Sequence, residues 1–179
     1  MQLTFLRHAT LPLANQGRYN GWRDIPIDPS LFEWDKVTEL RDKEFDLLYT
    51  SDLIRCRETI ALIFEGKLKP CSTRLLREVK FKEEIEGKNF EELEQLSGFK
   101  SEYLQDELCW YNYICEESQT LFHKRLKAFL ATLPPNKNIL VCSHAGAIRE
   151  MLKILNQPTV TLNYLEYITV GSISLKTKE

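Results

Sequence analysis

Two short apolar runs, one near each end of the chain, stop abruptly at a histidine. Leu3 to Leu6 is followed by Arg7-His8, and Ile139 to Cys142 is followed by Ser143-His144. Runs of this length that end at polar or turn residues are typical of buried strands, and a helix-like segment from Ala147 to Leu155 follows the second run. The two runs therefore predict two buried strands whose ends carry ionisable side chains.

The rest of the chain alternates between strand and helix patterns. Further strands are predicted at Asp46 to Ser51, weakly at Cys71 to Leu75, and as a strand or hairpin at the sheet edge from Tyr164 to Leu175. One helix is predicted from Leu31 to Phe45. A second follows Ser51-Asp52, which can cap its start, and a third begins at an N-cap at Ser118 and runs to Leu133. This order predicts an α/β fold, a three-layer α/β/α sandwich with a mostly parallel sheet.

A change of pattern after Val79 predicts an insertion in this fold. An acidic stretch covers residues 80–94, and an aromatic-rich run covers residues 108–114. We interpret residues 79–117 as a small, mainly helical cap within a single domain spanning residues 1–179. Trp110, Tyr111 and Tyr113 either line a substrate pocket or pack the cap onto the body of the domain.

Composition narrows the classes of partner. The 179 residues carry 24 Lys plus Arg against 26 Asp plus Glu, a net charge of −2, so no general basic field exists for nucleic acid or a membrane surface. No apolar run approaches the roughly 20 residues of a membrane span, and no signal peptide precedes the first strand, so we expect a cytoplasmic protein. The five cysteines never form a Cys-x-x-Cys pair, which indicates reduced thiols and no zinc knuckle.

The two histidines can meet, because the carboxyl ends of neighbouring parallel strands lie at the same edge of a sheet. Small residues at Ala145 and Gly146 leave room for helix N-terminal amides to face an anion. Arg7 and Arg55 add forked guanidinium donors that suit phosphate oxygens. The alternative without a functional role is that His8 is an ordinary loop histidine and Arg7 is a surface cation. The combination favours a phosphate-binding site.

Six segments, in order over nearly the whole chain, resemble the histidine phosphatase superfamily, in its phosphoglycerate-mutase-like group. They are Leu6-Arg7-His8-Ala9, Asn15 to Trp22, Ser51 to Thr59, Leu76-Arg77-Glu78, Glu117-Ser118 and Val141 to Gly146. The compact size and the Glu117-Ser118 region are similar to the α-ribazole phosphatase type within that superfamily.

The resemblance implies a catalytic mechanism without a metal or other cofactor. Neutral His8 would attack phosphorus and form a phosphohistidine, helped by Arg7 and Arg55, whose charges disfavour its protonation. Both arginines and His144 would bind the equatorial phosphoryl oxygens. Glu78 would act as general acid and then activate water. The alternative for Glu78 is a surface carboxylate, with the acid supplied by one of its neighbours Glu83, Glu84 and Glu86.

The resemblance also implies substrate contacts by Asn15, Arg18, Asn20 and Gly21. The chain departs from the family pattern nearby: Ala9 replaces a glycine, Thr10 replaces an acidic residue, and Asn15 falls one position late. Because of the last two changes, we expect the loop from Leu11 to Asn15 to follow a different path from the family's. The segment after Glu78, Phe81 to Gly87, lacks the family's Gly and Trp and is one residue longer.

Three functions follow as hypotheses. The modest cap and a chain end directly after the last strand, at Lys176 to Glu179, favour water access and hence a phosphatase for a small-molecule phosphate ester. Phosphoglycerate-type mutases are longer and carry a tail over the site. The third reading is a non-catalytic phosphate-binding module. The sequence indicates no particular oligomeric state.

Overall fold

A five-stranded sheet forms the centre of the computed structural model, which describes residues 1–67 and 69–171. Its strands are β1 (Gln2–Arg7), β2 (Leu47–Ser51), β3 (Cys71–Thr73), β4 (Asn138–Ser143) and β5 (Tyr167–Val170). They lie in the order β3-β2-β4-β1-β5, and all pairs are parallel except β1 with β5. The last strand is at the sheet edge, as the sequence predicts; its predicted continuation through 172–175 lies outside the described residues.

Six α-helices accompany the sheet in the described part of the chain. They are α1 (Thr38–Arg41), α2 (Ile54–Phe64), α3 (Phe90–Glu94), α4 (Glu107–Ile114), α5 (Gln119–Ala131) and α6 (Ala145–Ile154). Successive residues of a strand point to opposite faces, so Ile139 and Val141 of β4 pack with α5 and α6. Leu140 and Cys142 pack with α2 on the other face. This confirms the three-layer α/β/α sandwich.

The segment from Leu31 to Phe45 is not the continuous helix that the sequence predicts. It consists of two 3-10 turns, Pro29–Leu31 and Trp34–Val37, followed by the single-turn helix α1. Its buried apolar side chains do not recur at helical spacing throughout, and Trp34, which a continuous amphipathic helix would bury together with Leu31, Val37 and Leu40, is 43% exposed. The buried members are Phe32, Val37, Leu40 and Phe45.

The start of α2 is also capped differently from the prediction. Asp52 does not cap this helix, because both of its carboxylate oxygens accept hydrogen bonds from Arg77 at 2.7 Å. The amide of Ile54 instead donates to Asp24 Oδ1 at 2.6 Å, from a loop 30 residues earlier. The Ser118 cap of α5 is confirmed, because its hydroxyl accepts from the Leu121 amide.

The regular elements of the cap, residues 79–117, are α3, a 3-10 turn at Ser101–Leu104 and α4, joined by irregular segments. Tyr113 stacks on Tyr103 with ring centroids 4.7 Å apart, so it packs within the cap. Tyr111 is buried and belongs to the same core as α5 and α6. The cap is therefore packed on the body through its aromatic residues.

No helix among the described residues is long and apolar enough to cross a membrane. Cys142 is fully buried in the core, as predicted, and all five cysteines are free thiols.

Because Leu140 fills the α2 face of the sheet with no exposed surface, Leu140→Ala should lower the free energy of unfolding by about 2–5 kcal/mol through lost contacts and a cavity. The same substitution at Leu108, which is 59% exposed, should change it by less than about 0.5 kcal/mol. Urea unfolding of both variants measures the difference. Equal losses would contradict the proposed role of this face.

Candidate active site

The parallel pairing of β1 with β4 brings the two histidines together. The register pairs Arg7 with Ser143, so His8 and His144 are the next residues on neighbouring strands. Their ring centroids lie 5.2 Å apart, and both side chains are buried. The juxtaposition expected from the two apolar runs is therefore present.

The hydrogen bonds fix the tautomer of His8. Its Nδ1 lies 2.8 Å from the carbonyl oxygen of Ala9. A carbonyl can only accept, so Nδ1 carries the proton and the neutral ring has its lone pair on Nε2. Among the described residues, Nε2 of His8 has no hydrogen-bond partner. This nitrogen is available as a nucleophile or base.

Burial and nearby positive charges keep both histidines neutral. Burial lowers the pKa of His8 well below its usual 6.5, and the charges of Arg55 and then Arg7 lower it further. Burial, followed by the charges of Arg55, His8 and Arg7, likewise lowers the pKa of His144 well below 6.5. The predicted effect of the two arginines is present, but the loss of hydration is the larger cause.

Arg55 on α2 is almost completely buried and connects the site to its surrounding loops. Its Nε donates to His144 Nδ1 at 3.1 Å, Nη1 to the Arg23 carbonyl at 2.7 Å, and Nη2 to the Gly21 carbonyl at 2.8 Å. Three of its five N–H bonds are thus used within the protein. Because Nδ1 of His144 accepts, its Nε2 carries the proton and donates to Ser51 Oγ at 3.0 Å.

The loop after α6 holds Arg7. Its Nη1 donates to the Leu162 carbonyl at 2.7 Å, and its guanidinium lies 4.1 Å from the centre of the Tyr164 ring. Tyr164 also approaches the His8 ring, at 5.5 Å between centroids. The Nε of Arg7 is buried and has no partner among the described residues. Arg7 is therefore a positioned, half-buried cation rather than a surface one.

Glu78 lies at the N-terminal end of α6. Its Oε2 accepts from the Gly146 amide at 2.9 Å, and its Oε1 accepts from the Val79 amide at 3.0 Å. A Cβ on Gly146 would stand 2.5 Å from Oε1, so only glycine allows this approach. The sequence predicts that this amide faces a bound anion; instead it binds Glu78, because a nearby carboxylate satisfies a helix N-terminus.

The alternative acids lie elsewhere. Glu83 and Glu84 are exposed. The Glu86 carboxylate accepts from the Trp22 amide at 2.6 Å and so supports the loop instead. Glu78 is the carboxylate of this group that reaches the helix beginning after His144.

The four predicted substrate contacts lie in the loop between β1 and the 3-10 turns. Arg18 binds the cap, with Nη1 donating to the Gly87 carbonyl and to Glu92. Asn20 is buried and donates to the Asn15 carbonyl, while its Oδ1 has no partner among the described residues. Gly21, with φ of 44°, presents its carbonyl to Arg55. Of the four, Gly21 directly contacts a residue of the histidine site, whereas Arg18 binds the cap and, through Nε, the Ala14 carbonyl of its own loop at 2.7 Å.

Ala9 stands beside the site with its methyl in the core on the α2 side of the sheet. Its amide donates to Thr59 Oγ1 at 2.8 Å, and that hydroxyl donates to the Arg55 carbonyl at 2.6 Å. The methyl group is therefore accommodated by packing, and the loop after His8 is tied to α2.

Within residues 1–67 and 69–171, no three His, Cys, Asp or Glu side chains are grouped closely enough to hold a metal ion.

Comparison with known proteins identifies the family. The family model described as the histidine phosphatase superfamily (branch 1) matches residues 3–177. The chain belongs to this superfamily. A 2,3-bisphosphoglycerate-dependent phosphoglycerate mutase from Pseudoalteromonas atlantica is 23% identical over 195 residues, covering 88% of this chain and 85% of the relative.

Solved structures of the same fold include members with different reactions. A phosphoglycerate mutase from Thermus thermophilus matches with a TM-score of 0.72 at 23% identity, covering 96% of this chain and 93% of that one. A phosphoserine phosphatase from Entamoeba histolytica, in complex with 3-phosphoglyceric acid, matches with a TM-score of 0.74 at 23% identity, covering 94% and 89%. These likenesses show the fold of this chain, and the two proteins are named for different reactions.

The sequence patterns do not identify the side chains that hold the backbone around Glu78 in place, Trp22 and Arg125. Trp22 Nε1 donates to the Glu78 carbonyl at 2.7 Å. Arg125 of α5 donates to the carbonyls of Leu75 and Arg77 at 2.7 and 3.0 Å and forms a two-point ion pair with Glu117. The sequence does offer one signal for Arg125: it follows Phe122 of the apolar stripe by three residues, which places it on the same side of α5 as a buried residue.

The neutral histidines should make stability depend on pH. Their folded-state pKa values are below the unfolded value of 6.5, so their contribution is complete above pH 6.5 and is lost as the pH falls. Each should add a slope of at most about 1.4 kcal/mol per pH unit below that point. Urea unfolding measured between about pH 7 and pH 5.5 tests the slope. NMR spectra in which either ring titrates near 6.5 in the folded protein would contradict this prediction.

Arg125→Lys should lower the free energy of unfolding by about 1–3 kcal/mol, because an ammonium cannot reproduce the fork that joins Glu117 to three backbone carbonyls. Arg57→Lys, on the exposed side of α2, is the matched control and should be nearly neutral. Thermal and urea unfolding measure both. Equal stability of the two variants would refute the structural role of Arg125.

Proposed function

We propose that this protein is a phosphomonoesterase that hydrolyses small phosphorylated metabolites through a phosphohistidine on Nε2 of His8. The observation that carries the proposal is the neutral His8 ring, whose proton is held on Nδ1 by the Ala9 carbonyl and whose Nε2 lone pair is free. Membership of the histidine phosphatase superfamily supports the same chemistry.

In the first step, the Nε2 lone pair attacks phosphorus as the bond from phosphorus to the ester oxygen breaks. Glu78, in its acid form, gives a proton to the departing oxygen. The Ala9 carbonyl stabilises the positive charge that develops on the imidazole, because it accepts from Nδ1. In the second step, water attacks phosphorus, Glu78 takes a proton from it, and the phosphorus–nitrogen bond breaks to release phosphate.

Cations would bind the phosphoryl oxygens in both steps. Arg7 has a buried Nε without a partner among the described residues, and Arg55 keeps two N–H bonds beyond the three it uses. Fixed guanidinium groups stabilise the charge of the transferring phosphoryl group. We therefore include independence from added metal in the proposal.

Mutase activity is the alternative that a specific observation favours, because two relatives are named phosphoglycerate mutases. Both reactions share the phosphohistidine step and differ in whether water or substrate accepts the phosphoryl group. The modest cap supports water as the acceptor.

Hydrolysis of p-nitrophenyl phosphate in the presence of a chelator tests the proposal. The wild type should release p-nitrophenol, and His8→Ala should lose at least about a thousandfold in kcat because no nucleophile remains. His123→Ala, on α5, removes the histidine outside the site and should keep its activity within about twofold. An inactive wild type, or an active His8→Ala variant, rejects the mechanism.

The same preparation distinguishes phosphatase from mutase when it is given 3-phosphoglycerate. Release of inorganic phosphate without 2-phosphoglycerate supports the phosphatase, and formation of 2-phosphoglycerate in excess of phosphate release supports the mutase.

A further inference from the structure

A cavity of about 180 Å³ lies between the cap and α6, beside the Glu78 side chain. Aromatic rings from the cap and body supply much of its wall, and Arg149 of α6 supplies its cation. The aromatic members are Phe81, Trp110, Tyr111 and Phe122. Its volume is below the roughly 300 Å³ at which drug-sized pockets begin, so it suits a small group such as one ring.

Arg149 differs from the other ionic residues of α6. Glu150 pairs with His123 at 2.8 Å, and Lys153 pairs with Glu107 of the cap. Within residues 1–67 and 69–171, Arg149 forms no ion pair and no side-chain hydrogen bond. A half-buried guanidinium in the wall of a largely aromatic cavity, with no ion pair of its own among these residues, is a binding group for an anion.

Tyr111 supplies a second donor in the same wall. Its ring is buried, and its hydroxyl has no hydrogen-bond partner among the described residues. Burial raises the pKa of Tyr111, with the charge of Glu150 as the next cause, so the hydroxyl stays protonated. Tyr111 and Arg149 both line this cavity.

The position of Glu78 indicates which part of a substrate would occupy the cavity. The general acid must reach the oxygen that leaves phosphorus, so the body of the leaving group extends past its carboxyl group. Glu78 lines the cavity together with Ala145 and Gly146, the residues directly after His144. A leaving group that receives its proton from Glu78 can enter this cavity.

We propose that the cavity is the leaving-group subsite, and that Arg149 with Tyr111 binds an anionic group carried by a compact aromatic or apolar leaving group. The inference rests on the proposed function, because it needs Glu78 as the acid. It adds the class of substrate: phosphomonoesters whose leaving group has an apolar ring or chain with a carboxylate or similar anion at its far end.

The test compares phenyl phosphate with 4-carboxyphenyl phosphate, which differ by one carboxylate. Arg149→Met should lower kcat/KM for the carboxylated ester by about 10- to 100-fold and change kcat/KM for phenyl phosphate by less than about twofold. Tyr111→Phe should lower kcat/KM for the carboxylated ester by a smaller factor than Arg149→Met does. Lys124→Met, which removes an exposed cation from α5, is the charge control and should leave the ratio of the two esters unchanged.

Equal effects of Arg149→Met on both esters would overturn the subsite while leaving hydrolysis itself established. Binding of the product 4-hydroxybenzoate, measured by calorimetry with phenol as the comparison, provides a readout that does not need turnover. Binding that disappears in Arg149→Met supports the subsite even if the wild type hydrolyses neither ester, an outcome that rejects only the phosphatase. Absence of 4-hydroxybenzoate binding to the folded wild type overturns the subsite.

Discussion

The parallel pairing of β1 with β4 is the constraint on which the rest of the structure depends. In this register Leu6 lies opposite Cys142 and Arg7 opposite Ser143, so the next residues, His8 and His144, lie side by side. The same register sends alternate strand residues into the two cores. A slip of one residue would exchange the faces of the strand and separate the histidines, so folding and site assembly require the same register.

Arg55 places a buried positive charge next to the two aligned histidines. Burying a guanidinium is costly, and three hydrogen bonds to Gly21, Arg23 and His144 offset that cost. The retained charge, added to burial, keeps both imidazoles unprotonated. It also fixes the tautomer of His144, because a guanidinium can only donate. A lysine at this position would supply the charge without the fork, and so without the connection between the loop and the histidine.

Local patterns were sufficient to predict the strands and the layers, because apolar runs and their periodicity are encoded over a few residues. The meeting of His8 with His144 required the further rule that neighbouring parallel strands end at the same edge of a sheet. Three predictions failed where a distant residue competes for a local partner. Asp52 is bound by Arg77, so Asp24 caps α2 instead. The Gly146 amide is bound by Glu78 instead of an external anion. The helix predicted from Leu31 is divided because burial of Phe32 and Phe45 by the α2 core outweighs a helical stripe that includes exposed Trp34.

The division of labour between body and cap follows from where Glu78 is anchored. Its carbonyl is held by Trp22 and its carboxylate by the first turn of α6, so the acid is fixed by the body of the domain. Trp110 and Tyr111, by contrast, come from α4 of the cap and form part of the wall of the neighbouring cavity. In the proposed mechanism the body therefore holds the acid, while the cap and the body together form the leaving-group cavity beside it. On this proposal, a change in the cap sequence would alter the shape of the cavity without moving His8, His144 or the groups that hold Glu78.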